Sequence, residues 1–135
     1  LFPSRGVLTK RHPSEKEMED ISFGFRVAKE IARMDIGQTV VVKDRSVVSV
    51  EAMEGTDRAI ERAKGLCGEG FSVVKVSRPD QDMKWDVPVI GPETIKIVAK
   101  HGGKALAMES DRMFLVEKET CVRLCDENDI TLVVL

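Results

Sequence analysis

A chain of 135 residues, 42% apolar and with a formal net charge of −2, has the size and balance of one soluble domain with a core of its own. Its interspersed charges form no basic stripe, and its five Phe and single Trp make no stacking pattern, so nucleic acid is not expected as a partner. No apolar run approaches the roughly 20 residues of a membrane span and no secretory pattern opens the chain, so a cytoplasmic domain with at most peripheral membrane contact is expected.

In chain order, Phe2-Pro3-Ser4-Arg5-Gly6 through His12-Pro13 reads as an extended connection. Residues 1–13 are therefore expected to be the remnant of an interdomain linker, and 14–135 the folded domain. A start at Leu1 instead of Met suggests a fragment with sequence missing upstream. Ser14-Glu15-Lys16-Glu17 has the capping-box spacing, and Met18, Ile21, Phe25, Ala28 and Ala32 follow at helical intervals, which predicts an amphipathic helix ending near Gly37. Thr39–Lys43 and Val47–Val50 are β-branched runs across Asp44-Arg45-Ser46, short enough for a hairpin.

A second helix follows Glu51-to-Asp57, with Ala59, Ile60, Ala63, Leu66 and Cys67 on one face and Gly68-Glu69-Gly70 as its stop. Phe71–Val76 reads as a strand. Gly91-Pro92-Glu93-Thr94 opens a third helix carrying Ile95, Val98 and Ala99, which Gly102-Gly103 ends. Lys104–Met108 and Met113–Val116 read as short strands, Lys118–Asp126 as a last helix, and Ile130–Leu135 as a buried strand. This alternation predicts an α/β fold, a mixed β-sheet flanked by helices in a layered sandwich, as a single domain.

Two loops carry candidate chemistry. Gln81-Asp82-Met83-Lys84-Trp85-Asp86 places two carboxylates ahead of Val87-Pro88-Val89-Ile90, and Gly91-Pro92 then presents helix-start amides. Aspartates beside a helix N-terminus are one way to hold a divalent cation and a phosphate; solvated loop acids are the other reading. Trp85 either lines a stacking surface or anchors the loop. Glu51-Ala52-Met53-Glu54-Gly55-Thr56-Asp57 matches no standard phosphate loop. Gly55 nevertheless permits close backbone approach, Thr56 or Asp57 can cap the helix, and its first-turn amides suit a phosphate.

If the two loops converge, Glu51, Glu54, Asp82 and Asp86 offer oxygen donors to one hard cation, with Lys43, Lys75 and Arg78 near enough in the pattern to balance phosphate charge. The scattered Met18, Met34, Met83, Met108 and Met113 are expected to fill core gaps. Phe23 lies off the apolar stripe of the first helix. Cys67, Cys121 and Cys125 read as structural thiols, and His12 and His101, far apart in sequence, support neither a zinc site nor a catalytic pairing.

Three ordered segments carry a resemblance: Asp35-Ile36-Gly37-Gln38-Thr39-Val40-Val41-Val42-Lys43-Asp44, Val50-Glu51-Ala52-Met53-Glu54-Gly55-Thr56-Asp57, and Trp85-Asp86-Val87-Pro88-Val89-Ile90-Gly91. From about Val7 to its last residue the chain resembles the C-terminal domain of the UDP-2,3-diacylglucosamine pyrophosphatases of lipid A biosynthesis, the form unrelated to calcineurin-like phosphoesterases. The resemblance implies a two-domain enzyme that binds its lipid substrate between a nucleotide-fold-like N-terminal domain and this one. It implies hydrolysis of UDP-2,3-diacylglucosamine to UMP and 2,3-diacylglucosamine 1-phosphate with a divalent cation, usually Mg²⁺, at the inner face of the membrane. Asp86 is then the essential acid. Glu51, Glu54, Thr56 and Asp57 are second choices for metal or phosphate contacts, Gly55 and Gly91 supply backbone to the phosphate, and Asp82 is a further metal candidate. A non-catalytic phosphate- or nucleotide-sugar-binding module and a homodimerisation domain are the competing expectations.

Overall fold

The structure, a computed structural model, describes residues 2–79 and 87–135. Helix α1 (Glu15–Arg33) starts where the spacing predicts: Ser14 Oγ accepts from Glu17 N–H at 3.0 Å while the Glu17 carboxylate accepts from Ser14 N–H at 2.9 Å. Such reciprocal caps are worth about 1 kcal/mol. Strands β2 (Thr39–Lys43) and β3 (Ser46–Val50) form the expected hairpin, with a tighter turn than the sequence suggested. Only Asp44 and Arg45 lie in it, at φ 52° and 60°. Both positions are left-handed in turns of this class, where glycine or asparagine is usual. The buried Asp20 carboxylate compensates by accepting from Asp44 N–H at 3.2 Å and Arg45 N–H at 2.7 Å.

Helix α2 (Thr56–Cys67), strand β4 (Ser72–Lys75), helix α3 (Pro92–His101), strand β6 (Ala105–Met108), strand β7 (Phe114–Leu115), helix α4 (Lys118–Glu127) and strand β8 (Thr131–Val134) complete the predicted series, and a two-residue strand β5 (Val89–Ile90) stands before α3 where the sequence pattern assigns no strand. A second element beyond that series is β1 (Gly6–Val7), inside the stretch read as a connection. It pairs antiparallel with β8, and Arg11 ties the following residues down through Glu17 and Thr131. The main sheet has the order β1-β8-β6-β4-β2-β3, and β5 pairs with β7 in a small parallel sheet.

Side chains alternate across the main sheet and build two cores. Val41, Val73, Leu106, Met108, Leu132 and Val134 face α2, α3 and α4, joined by Ile60, Phe71, Ile95, Cys121 and Cys125. The opposite face carries Val40, Val42, Val74, Ala105, Ala107 and Val133 against Ile21, Ala28 and Ala32 of α1. Small residues let that lone helix lie close: a Cβ on Gly24 would sit 2.9 Å from the methyls of Val42 and Val74. Leu66 and Met34, expected inside, are 64% and 61% exposed, each on the outer side at the end of its helix. Met108 and Met113 are buried as expected, and Phe23 is half-buried beneath the Arg26 guanidinium.

Strand direction positions the site. β4, β6 and β8 are mutually parallel, β2 is antiparallel to β4, and β3 is antiparallel to β2, so β3 runs with β4. The C-terminal ends of β3, β4, β6 and β8 therefore meet the start of β2 at one end of the sheet. There Val40 lies opposite Val50, and Thr39 opposite Lys75. Helices α2 and α3, each entered from that end, aim their N-termini toward it.

Candidate functional site

Glu51 is the first residue beyond β3, and the backbone fixes it. Its N–H donates to Thr39 O at 2.9 Å, and its carboxylate accepts from Gln38 N–H at 3.0 Å. Gly37 makes this possible, because a Cβ there would fall 1.9 Å from Glu51 O, an overlap no side chain survives. Glu54 turns the other way. Its carboxylate accepts from Ala52 N–H at 3.2 Å and pairs with Arg62 at 3.1 Å, while Arg62 also donates to Val50 O at 3.1 Å. Glu54 thus braces its own loop.

Helix α2 opens at Gly55, whose φ of 88° suits glycine, and no side chain caps it. The cap expected from Thr56 or Asp57 is absent because both lie inside the first turn. Thr56 instead shares a hydrogen bond with Thr39 at 3.0 Å between hydroxyls, and Asp57 places a carboxylate in that turn. Helix α3 opens at Gly91 with Pro92 in the first turn, as the sequence predicts; the glycine is needed since a Cβ would meet the Val116 side chain at 2.9 Å.

Lys75, the last residue of β4, joins the two loops. Its Nζ lies 3.4 Å from Val89 O, just ahead of Gly91. Burial lowers the Lys75 pKa from its ordinary value, against the opposing pull of Glu51 and Asp57. A half-buried ammonium facing two carboxylates and lying beside two helix N-termini is a place where an anionic group gains charge neutralisation and amide donors together.

The other cations named from the sequence lie elsewhere or are engaged. Lys43 donates to Cys67 O at 3.0 Å and Glu69 O at 2.6 Å, closing the C-terminus of α2 at the far end of the sheet. Arg78 pairs with Asp35 at 2.9 Å. Asp82, Trp85 and Asp86 lie outside the described residues. Among the described residues no group of three Asp, Glu, His or Cys side chains could hold a metal ion. Burial pushes the Cys121 thiol up to about 11 and the Cys125 thiol to about 12, which suits unreactive core residues.

Sequence reasoning named Gly37, Gln38 and Thr39 only as a helix end, a strand start and part of a resemblance, and gave them no place at the site. The available signal was a glycine two residues before a strand start, which marks close backbone approach.

Residues 4–133 match the family model described as the LpxI C-terminal domain. The chain is 36% identical over 131 residues to the UDP-2,3-diacylglucosamine pyrophosphatase LpxI of Caulobacter vibrioides, an alignment covering 91% of this chain and 47% of that protein. The chain therefore spans about half the length of this curated relative.

Proposed function

The chain belongs to the LpxI C-terminal domain family, and from that premise we propose that the protein carrying it hydrolyses the pyrophosphate bond of UDP-2,3-diacylglucosamine. The products are UMP and 2,3-diacylglucosamine 1-phosphate, a step of lipid A biosynthesis run in the cytoplasm against the inner membrane face, with the N-terminal domain closing the site. The observation that carries the reading is Lys75, whose ammonium reaches Val89 O ahead of α3 and feels the charges of Glu51 and Asp57 at the entry to α2.

In this reading Lys75 and the first-turn amides of α2, at Thr56 and Asp57, face the substrate's phosphates, while Gly55 and Gly91 keep the approaching backbone free of side chains. Thr39 fixes the Thr56 hydroxyl, and Gln38 orients Glu51. Asp86 is the essential acid. Aspartate, a weak base at its reference pKa of about 3.9, is in general better suited to cation ligation or water orientation than to proton abstraction.

A divalent cation such as Mg²⁺ would be held by Asp86, with Asp82 and the second oxygen of Glu51 as further donors. Glu54 fits less well, since Arg62 already neutralises it. When bound, the cation would supply charge neutralisation at the phosphates and a more acidic water.

The test is the Asp86→Asn variant of the full-length protein, with UMP release measured from UDP-2,3-diacylglucosamine. Hydrolysis should fall by about 10³-fold or more with the fold intact, and chelation of divalent cations should abolish parental turnover. Near-normal hydrolysis by the variant would remove Asp86 from its role. Product binding with no metal response and no turnover would favour the non-catalytic binding module.

A further inference from the structure

Beyond the Lys75 cluster, a second polar group closes on the chain leaving β4. Ser77 is fully buried and Glu109, after β6, is 9% exposed. One Glu109 oxygen accepts from Ser77 N–H at 2.9 Å and from Ser77 Oγ at 2.8 Å; the other accepts from Lys29 Nζ of α1 at 2.8 Å. Lys29 also donates to Ser77 O at 3.3 Å. Arg112 completes the arrangement from the loop after β6. Its Nε donates to Ser77 Oγ at 3.0 Å, and a terminal nitrogen donates to Pro79 O at 3.1 Å and Arg78 O at 3.4 Å.

Every polar atom of Ser77 is engaged, and three separate elements contribute: α1, the exit of β4 and the loop after β6. A buried ionic group of this kind is a poor source of net stability, because desolvation offsets most of its attraction. It does impose one geometry on the backbone it grips. The gripped backbone lies two residues beyond Lys75 and, in sequence, nine before Asp86.

We propose that Glu109, Lys29 and Arg112 are positioning residues for the hydrolysis: they latch the exit of β4 at Ser77 to Pro79 and so set the placement of the site's reacting groups. This rests on the function proposed above. None of the three residues need touch substrate. Arg112 acts through its planar fork, which reaches a hydroxyl and two carbonyls at once, and lysine cannot reproduce that.

The experiment uses the full-length protein and compares Arg112→Lys, Glu109→Gln, Lys29→Met and the Glu109→Gln/Lys29→Met double variant with the parent. Each single variant should lower kcat by about tenfold with KM within about twofold, since small misplacements cost rate more than binding. The double variant should lose no more than the worse single, as members of one network do. Lys29→Arg, which keeps the donation to Glu109, should stay near parental kcat and guards against a Lys29→Met variant that simply misfolds. A lowered thermal midpoint with kcat unchanged, additive losses in the double variant, or a rise in KM alone would each overturn the latch. A parent inactive on UDP-2,3-diacylglucosamine would instead overturn the proposed function together with the latch, so the two failures are distinguishable.

Discussion

The two ends of the main sheet carry similar charged residues and use them differently. At the end where β2 turns into β3, the side chains close the fold: Asp20 holds the hairpin amides, Lys43 holds the carbonyls after α2, and Arg11 bridges Glu17, Thr131 and Lys104 O. At the opposite end Glu109, Lys29 and Arg112 are likewise engaged, but Lys75 makes only a long bond to Val89 O and meets Glu51 and Asp57 through space, and Glu51 has one oxygen fixed by Gln38. Charged composition does not distinguish a site from a scaffold. What distinguishes them is whether the backbone already satisfies the charge, because an engaged carboxylate or ammonium has little left to offer a ligand.

The comparison can be broken most sharply at Lys75. Replacement by Met should lower kcat/KM for the pyrophosphate substrate by about a hundredfold, the size of a lost charge contact in a partly buried site. The same change should leave urea stability unaltered or improved, because a desolvated ammonium is removed. A stability loss with normal turnover would make Lys75 a scaffold residue. Next comes Asp20→Ala at the far end, where two hairpin amides lose their acceptor; the cost should be about 2 kcal/mol in urea denaturation, with kcat/KM unchanged.

Gly37→Ala should sit between these two kinds of effect. A methyl 1.9 Å from Glu51 O cannot be housed without moving the loop, so stability should fall by about 1–3 kcal/mol and activity should fall with it. Loss of one without the other would separate loop geometry from the site. The smallest effect is the acid limb. Burial alone would raise the Glu17 carboxyl, but hydrogen bonds from Arg11 and Ser14 outweigh it, and at the site end Lys29 and Ser77 do the same for Glu109. Both carboxyls therefore bind protons less readily folded than unfolded, so their contribution is present at neutral pH and is lost as pH falls through the carboxylate range and below. Thermal midpoints from pH 7 to 3 should decline less steeply in Arg11→Gln and in Lys29→Met than in the parent.

The sequence made the elements legible, and its patterns explain why. Capping-box spacing, β-branched runs and glycine stops are local signals, and α1 to α4 and the hairpin appear where those signals lie. Whether the loops after β3 and β4 share an end stayed conditional on strand direction, which the pairing of both strands with β2 supplies. Strand order was not legible, since it depends on which apolar faces meet across the sheet. β1 was missed because Gly6–Val7 is too short to show a period and is fixed by pairing with the other end of the chain. At the site, Glu51 and Lys75 could be named from their positions, whereas the engagement of Glu54 by Arg62 and of Lys43 by α2 depends on contacts no spacing encodes. The Ser77–Glu109–Lys29–Arg112 group joins positions 32 to 80 residues apart and leaves no local trace.

The pairing of β1 with β8 has a kinetic consequence. Thr9 and Leu132, which share a hydrogen bond beside that pair, stand 123 positions apart. As the chain emerges in synthesis, β6 has no outer neighbour until β8 arrives, and β8 is the last of the described strands in chain order. The sheet thus grows with an open rim and seals it only when β1 and β8, the first and last strands of the domain, meet, which is the slowest kind of closure for a chain to find. Until then the apolar rim is available to other chains, so a refolding mixture should be most aggregation-prone just before this final step.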